Sequence, residues 1–359
     1  MIWLPFKIKK ISKNFLGIDI GTSSIKVVEL SRKGQAQELE NYGEIKTLSF
    51  KESPFRQVEK NTLSFSNQEV ASAIKAVLRE AEIQTKEVNF SIPDFSSFFT
   101  SFELPQMTKK ELPGAVKYEA RSYIPLPLSE ITLDWSVIEG SVSNNLKLKR
   151  PLKILVVAVP NEVINHYQEI AAMSNLRVKA LEAEAFALSR ALAKNEKNMV
   201  GIVDIGARST TFNILEQGHL KISHSFNISG NELTEIMRRS LKIDYEKAEE
   251  IKKNLGLSQN QNNIREILFP LIDSIIFEVK KISNSFYQQE GKEIEKIILS
   301  GSSSLLPGLK EYFSEELKKE TVLANPFSGI SYPAVLEETL KELGPSYAIA
   351  TGLAQKGFE

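Results

Sequence analysis

Two short segments of this chain repeat each other across an offset of 185 residues, and that repeat limits the fold more than any other feature. Residues 16–30 read LGIDIGTSSIKVVEL, and residues 201–215 read GIVDIGARSTTFNIL. With Asp19 set on Asp204, the Asp-Ile-Gly triplets coincide, as do Ser24 with Ser209 and Leu30 with Leu215. Each copy runs apolar strand, Asp-x-Gly, small polar turn, apolar strand. So long a period speaks against a solenoid. It predicts two related half-domains in an α/β fold, each opening on a glycine-bearing β-hairpin.

The rest of the chain can be placed around this frame. A chain of 359 residues holds two or three domains, or one large fold with insertions. In the first half, Ser66 and Glu69 have capping-box spacing, and Val70, Ala73, Ile74, Val77 and Leu78 follow at helical spacing. They predict a helix over 67–81, with a strand at 88–92. Residues 98–175 read as an insertion. It opens on an alternating strand (98–104) and a helix (109–122) with Pro113 early in it. A turn and strand follow in YIPLPLSEITLDWSVI, then a basic loop, a buried strand (154–159) and a helix capped by Asn161. An Ala-rich helix is expected over 180–192. The second half continues from its hairpin (200–226) into helices at 229–241, 245–255 and 263–289, the last interrupted by Pro270. A strand (294–299), a helix (308–319) and a closing helix (346–356) finish it.

Composition removes whole classes of function. Lys+Arg and Asp+Glu both number 45, which speaks against a basic chain built for non-specific nucleic-acid binding. There is no cysteine, so disulfides, thiolate zinc sites and thiol nucleophiles are excluded. Three histidines, His166, His219 and His224, are too scattered for an all-His metal site. No apolar run approaches a membrane span, and the N-terminus lacks the form of a secretory signal. A cytoplasmic location is the expectation.

Three constellations carry chemistry. In Asp19–Lys26, Gly21 permits a tight turn. The amides and hydroxyls of Thr22 and Ser23 can cradle phosphate oxygens, Lys26 supplies positive charge, and Asp19 can hold Mg²⁺ through water. The second, Asp204 to Thr210, repeats this logic with Gly206, Ala207, Arg208 and Ser209. One such hairpin is usually a plain turn; two in register can clamp a polyphosphate from both sides. The third is the small-residue loop Ser300–Ser304, which lets backbone lie flat against a nucleoside.

In this order the three resemble the actin-like ATPase superfamily, which also holds sugar kinases. Within it, residues 115–138 (AVKYEARSYIPLPLSEITLDWSVI), LEAEAFALSRAL and PFSGI resemble the PilM family of type IV pilus assembly proteins. The resemblance implies duplicated actin-like (ribonuclease H-like) half-domains with ATP and Mg²⁺ between them, and an inserted subdomain placed as in FtsA. It divides the chain into subdomain 1A (1–97 and 176–198), 1C (98–175), 2A (199–228 and 294–359) and 2B (229–293). It gives Asp19 and Asp204 to the metal, and Gly21, Thr22, Ser23, Lys26 and Gly206 to Ser209 to the phosphates. Gly230, Glu249 and Lys252 flank the nucleoside, and Gly301 with Ser302 lines the adenine side. Glu184 falls where relatives place the residue that positions the attacking water, with Glu182 as its rival. One departure stands out. Many relatives carry consecutive glycines in the second hairpin, whereas this chain has Ala207 and Arg208. The Ala207 methyl crowds backbone approach, so binding with slow or absent turnover is expected.

The resemblance implies an ATP-dependent adaptor, peripheral at the inner membrane, that docks the cytoplasmic tail of a bitopic PilN-like protein near Tyr118, Arg121 and Tyr123; self-association stays open. Two alternatives remain. A small-molecule kinase needs an acceptor pocket and an Asp base in the first half, and no such motif stands out after Asp19. An FtsA-like division protein is expected to end in an amphipathic anchor, and this sequence ends TGLAQKGFE. Residues 1–14 combine Lys7, Lys9, Lys10 and Lys13 with apolar side chains, as an interfacial anchor or an edge strand would. The basic run at 147–153 reads as a solvated loop.

Overall fold

A computed structural model describes residues 13–34, 36–46, 66–140, 142, 151–258 and 262–359. Of the segment 1–14, read as an interfacial anchor or an edge strand, residues 1–12 lie outside them, as do the basic residues 147–150.

The sequence repeat becomes a repeat of topology. In the first half, β1 (Asn14–Ile20), β2 (Ser24–Lys33) and β3 (Ala36–Lys46) form an antiparallel meander. Parallel strands β4 (Glu87–Ile92) and β8 (Arg177–Ala183) extend it on the β1 side. In the second half, β9 (Met199–Ile205), β10 (Thr210–Glu216) and β11 (His219–Phe226) repeat the meander, extended by parallel β12 (Lys296–Ser300) and β13 (Glu320–Leu323). The orders 3-2-1-4-8 and 11-10-9-12-13 are the same path walked twice. Asp19 faces Lys26 across the first hairpin, and Asp204 faces Thr211 across the second. A two-residue strand, β14 (Ile330–Ser331), adds to the free edge of β3.

Between β4 and β8 lies the insertion. Strands β5 (Phe98–Leu104), β6 (Ile131–Glu139) and β7 (Leu152–Pro160) form an antiparallel sheet with β7 central. Helix α2 (Leu112–Ala120) closes its core through Leu112, Val116 and Ala120. Helix α3 (Asn161–Met173) behaves differently. Its Val163, Tyr167 and Ile170 pack in one core with the first sheet and with Ile74 and Val77 of α1 (Asn67–Glu80). Asn161 does not cap α3: it is the first helical residue, accepts a hydrogen bond from Thr132 Oγ1 and donates to the Ser129 carbonyl. The capping box at Ser66 and Glu69 is present as expected.

Three other expectations are corrected. Residues 180–183 belong to β8, so the Ala-rich helix α4 starts at Glu184 and ends at Leu192. Pro270 does not interrupt its helix; α7 (Asn262–Glu290) runs through it. Pro270 is exposed, so the carbonyl its missing N–H leaves unmatched can be solvated, while Leu268, Ile272, Ile275 and Ile276 hold the inner face. The closing helix α9 (Glu337–Lys356) begins nine residues early and absorbs Pro345. Helices α5 (Gly230–Leu241), α6 (Tyr245–Leu255), α7 and α8 (Leu309–Leu317) share one apolar core with the second sheet.

Helices α4 and α9 cross between the halves at backbone distance. A methyl on Gly352 would lie 2.0 Å from the Ala187 carbonyl oxygen. Beside this crossing, Arg190 holds Glu182 through two hydrogen bonds of 2.7 and 2.8 Å and also bonds the Gly352 carbonyl.

Candidate functional site

Both hairpin turns open on one shared cleft. The first turn brings Asp19, Gly21, Thr22, Ser23, Ser24 and Lys26; the second brings Asp204, Gly206, Ala207, Arg208 and Ser209. A Cβ at Gly21 would press on the Ser24 carbonyl oxygen at 2.9 Å, and one at Gly206 on the Ser209 carbonyl oxygen at 3.0 Å. Those contacts explain the residue type at each turn, since both loops close tightly on their own backbone. The Gly206 amide donates to Ser209 O, and the Gly206 and Ala207 carbonyls accept from Gly230 N and Asn231 N. The start of α5 therefore braces the second turn from behind.

At the far wall, β12 delivers Ser300, Gly301 and Ser302. Gly301 has φ +84°, and any side chain there would strike the Ile205 backbone at 2.5 Å. Its amide and the Ser300 hydroxyl both donate to the Pro345 carbonyl, which ties this loop to α9.

The electrostatics are unusual for so small a space. Asp19 is 5 % exposed and accepts a hydrogen bond from Ser91 Oγ at 2.7 Å. Burial pushes Asp204 up to about 6; the Ser300 hydroxyl lowers it in part, and the Asp19 charge adds to the rise. Lys26 is buried, donates to Ser24 Oγ at 2.8 Å and lies 3.5 Å from Glu44. Burial alone would raise Glu44, but the Lys26 charge, the Ser24 hydroxyl and the Lys46 charge together lower it. A bound cation would relieve the carboxylate pair, and the hydroxyls and ammonium suit phosphate oxygens, so these residues fit a metal–polyphosphate ligand.

Glu184 lines the cleft, whereas Glu182 is turned away into the Arg190 pair and a bond with Lys356. Gly230, Glu249 and Lys252 do not line it. Lys252 is buried behind the second turn, where it bonds Gly230 O at 2.9 Å, Thr234 Oγ1 and Glu249 at 2.7 Å. A Cβ on Gly230 would sit 2.1 Å from Ser303 Oγ, so that glycine is explained by packing.

Sequence reasoning missed the segment 93–97. Asp94 is 3 % exposed; its amide donates to Glu184 Oε2, and its Oδ1 accepts from the Ala185 amide, both at 3.2 Å. It thus caps α4 from a distant segment, since the local N-cap, Ala183, has no side-chain acceptor. Burial, and further the Asp204 charge, raise its carboxyl well above the usual range. The strand end followed by Pro-Asp was a readable signal. Phe95, next in the chain, lines the cleft and carries the Arg208 guanidinium 4.7 Å above its ring. Thr211, Ser346 and Ile349 complete the lining.

The profile of the family described as "Type IV pilus assembly protein PilM" matches residues 17–358. The chain belongs to the PilM family. Its fold superposes on the "PilM-PilN type IV pilus biogenesis complex" with a TM-score of 0.83 and 26% identity, covering 96% of this chain and 98% of that one. The ethanolamine utilization protein EutJ of Carboxydothermus hydrogenoformans shares the fold at TM-score 0.54 and 18% identity, covering 95% and 89%. MreB5 of Spiroplasma citri bound to ADP does so at 0.51 and 14%, covering 97% and 96%. The actin-like fold class that the resemblance implied is thus shown. Among curated relatives, cell division protein FtsA of Bacillus subtilis is 21% identical over 95% of this chain and 82% of its own length. As a PilM family member the chain is a type IV pilus assembly protein; FtsA shares its architecture. Among the described residues, no helix is long and apolar enough to cross a membrane.

Proposed function

We propose that this PilM-family chain binds Mg·ATP between its two hairpin turns and works as an adaptor that docks the cytoplasmic tail of a bitopic PilN-like membrane protein. The observation that carries the nucleotide reading is the pair of turns facing one cleft, each with an aspartate one residue before the end of its first strand. Asp19 and Asp204 would hold the metal, which supplies the charge that neutralises a polyphosphate. Thr22, Ser23, Lys26 and the 206–209 turn orient the phosphates, and Ser300–Ser302 with α9 lines the nucleoside. Glu184, fixed by the Asp94 amide, can orient a water at the cleft floor. Ala207 and Arg208 in place of glycines favour slow turnover, so nucleotide acts as a ligand that sets the angle between halves.

The partner reading rests on the family, on the relative solved with PilN, and on the insertion. Tyr118 is 73% exposed and Tyr123 49% exposed, with Tyr123 stacked on Phe102 at 5.3 Å. An extended peptide can use such an aromatic rim beside the Arg121 charge. The protein then sits at the inner membrane through its partner. Calorimetric titration tests both parts. Asp19→Ala and Asp204→Ala should each weaken Mg·ATP binding, and Tyr118→Ala with Arg121→Ala should weaken binding of the PilN-like tail peptide. Unchanged affinity in both aspartate variants removes the nucleotide assignment; unchanged tail affinity moves the partner site elsewhere.

A further inference from the structure

We infer that Phe95 is a positioning residue whose ring presents the edge of the Arg208 guanidinium to the terminal phosphate of a nucleotide in the cleft. This rests on the nucleotide reading of the cleft and names a residue which that reading does not contain. The two side chains come from opposite halves. Phe95 belongs to the junction between β4 and β5, and Arg208 to the turn between β9 and β10. Both line the cleft, and the guanidinium carbon stands 4.7 Å from the ring centroid.

A guanidinium stacked on a ring spends its flat face there. Its five N–H donors lie in the plane and stay directed sideways, where a phosphate can meet two of them at once. The ring is fixed from below, because the preceding residue is pinned to α4 by two hydrogen bonds. Those bonds also place Phe95 at the Glu184 end of the cleft. The Ser300–Gly301 loop is tied instead to Pro345 of α9, at the wall assigned to the nucleoside. The pair therefore sits where the last phosphate of a triphosphate would lie and where a diphosphate is shorter by one group.

The test is titration calorimetry of the full chain with Mg·AMP-PNP and with Mg·ADP. The variants are Phe95→Leu, which keeps apolar bulk without a π face, Phe95→Trp, Arg208→Ala and the Phe95→Leu/Arg208→Ala double variant. Thermal melting checks folding of each. Phe95→Leu should weaken Mg·AMP-PNP roughly 3- to 10-fold, the size of a half-buried cation–π contact, and leave Mg·ADP within about 2-fold. Phe95→Trp should keep the wild-type ratio, and the double variant should match Arg208→Ala. A Phe95→Leu loss that is equal for both nucleotides, absent for both, or fully additive with Arg208→Ala overturns the inference while the nucleotide reading stands. A wild type that binds neither nucleotide overturns both.

Discussion

Replacing Gly352 by alanine sets two effects of known size against each other. In the interior of a helix the change gains about 1 kcal/mol from propensity alone. Here the new methyl would meet the Ala187 carbonyl oxygen at 2.0 Å, its carbon at 2.6 Å and its Cα at 2.9 Å. All three are backbone atoms, so no rotamer change relieves them, and α4 and α9 must part by more than an ångström. Overpacking of a fixed core costs about 1–3 kcal/mol, and this site belongs at the upper end. Separation also strains the Arg190 bond to the Gly352 carbonyl. The net expectation is a loss of about 2 kcal/mol. Gly114 is the control: it is exposed in α2, and a Cβ there meets nothing within 4 Å. Gly114→Ala should therefore stabilise by up to about 1 kcal/mol. Urea unfolding of the full chain reads both midpoints. A Gly352→Ala protein as stable as wild type would refute the claim that the two halves meet at backbone distance.

Glu182→Ala should cost about 2 kcal/mol by removing two charge-assisted hydrogen bonds from Arg190, which keeps Glu359 as a partner, yet leave nucleotide affinity intact, whereas Glu184→Gln should leave the melting temperature nearly unchanged; thermal melting beside calorimetry separates the two carboxylates. Gly301→Ala forces a methyl into the Ile205 backbone at φ +84°, and denaturant unfolding should show a loss of about 2 kcal/mol or more. Metal-free protein should lose stability as pH rises from about 4 to 7. Asp204 has a folded pKa raised to about 6 from 3.8, so its contribution is fully present below the unfolded value and lost through the folded one. The cleft admits water to Asp204, so this slope amounts to about 1–3 kcal/mol across the window. Asp204→Asn should flatten it, and an unchanged slope in that variant would place the titration elsewhere.

How far the sequence reached depended on whether a signal was local. The hairpins were legible because Asp-x-Gly between apolar runs describes a turn completely, and the repeat doubled the evidence. The capping box at Ser66 worked for the same reason. Strand β8 was not legible: RVKALEA has good helix formers, and only parallel pairing with β4 makes it a strand. Pro270 misled because its cost depends on which face it occupies, and an exposed face leaves its unmatched carbonyl to water. The resemblance set Glu249 and Lys252 beside the nucleoside, but both bond Thr234 behind the second turn, and Lys252 also bonds Gly230. Phe95 carried no signal, because its partner, Arg208, lies in the other half of the chain.

The order of synthesis sets a difficulty that the folded protein hides. Val28, Leu30 and Leu39 of the first sheet are covered by Leu340, Tyr347, Ala350 and Ala354 of α9. Gly17 of β1 has room for no side chain because the α9 backbone lies against it, at 2.2 Å from where a Cβ would stand. A ribosome adding ~5–20 residues per second releases that sheet about 15 to 60 s before its cover. Throughout that interval, a broad apolar face has no partner in its own chain. A chain cut short before residue 337 would carry the bare face permanently, as an invitation to aggregate.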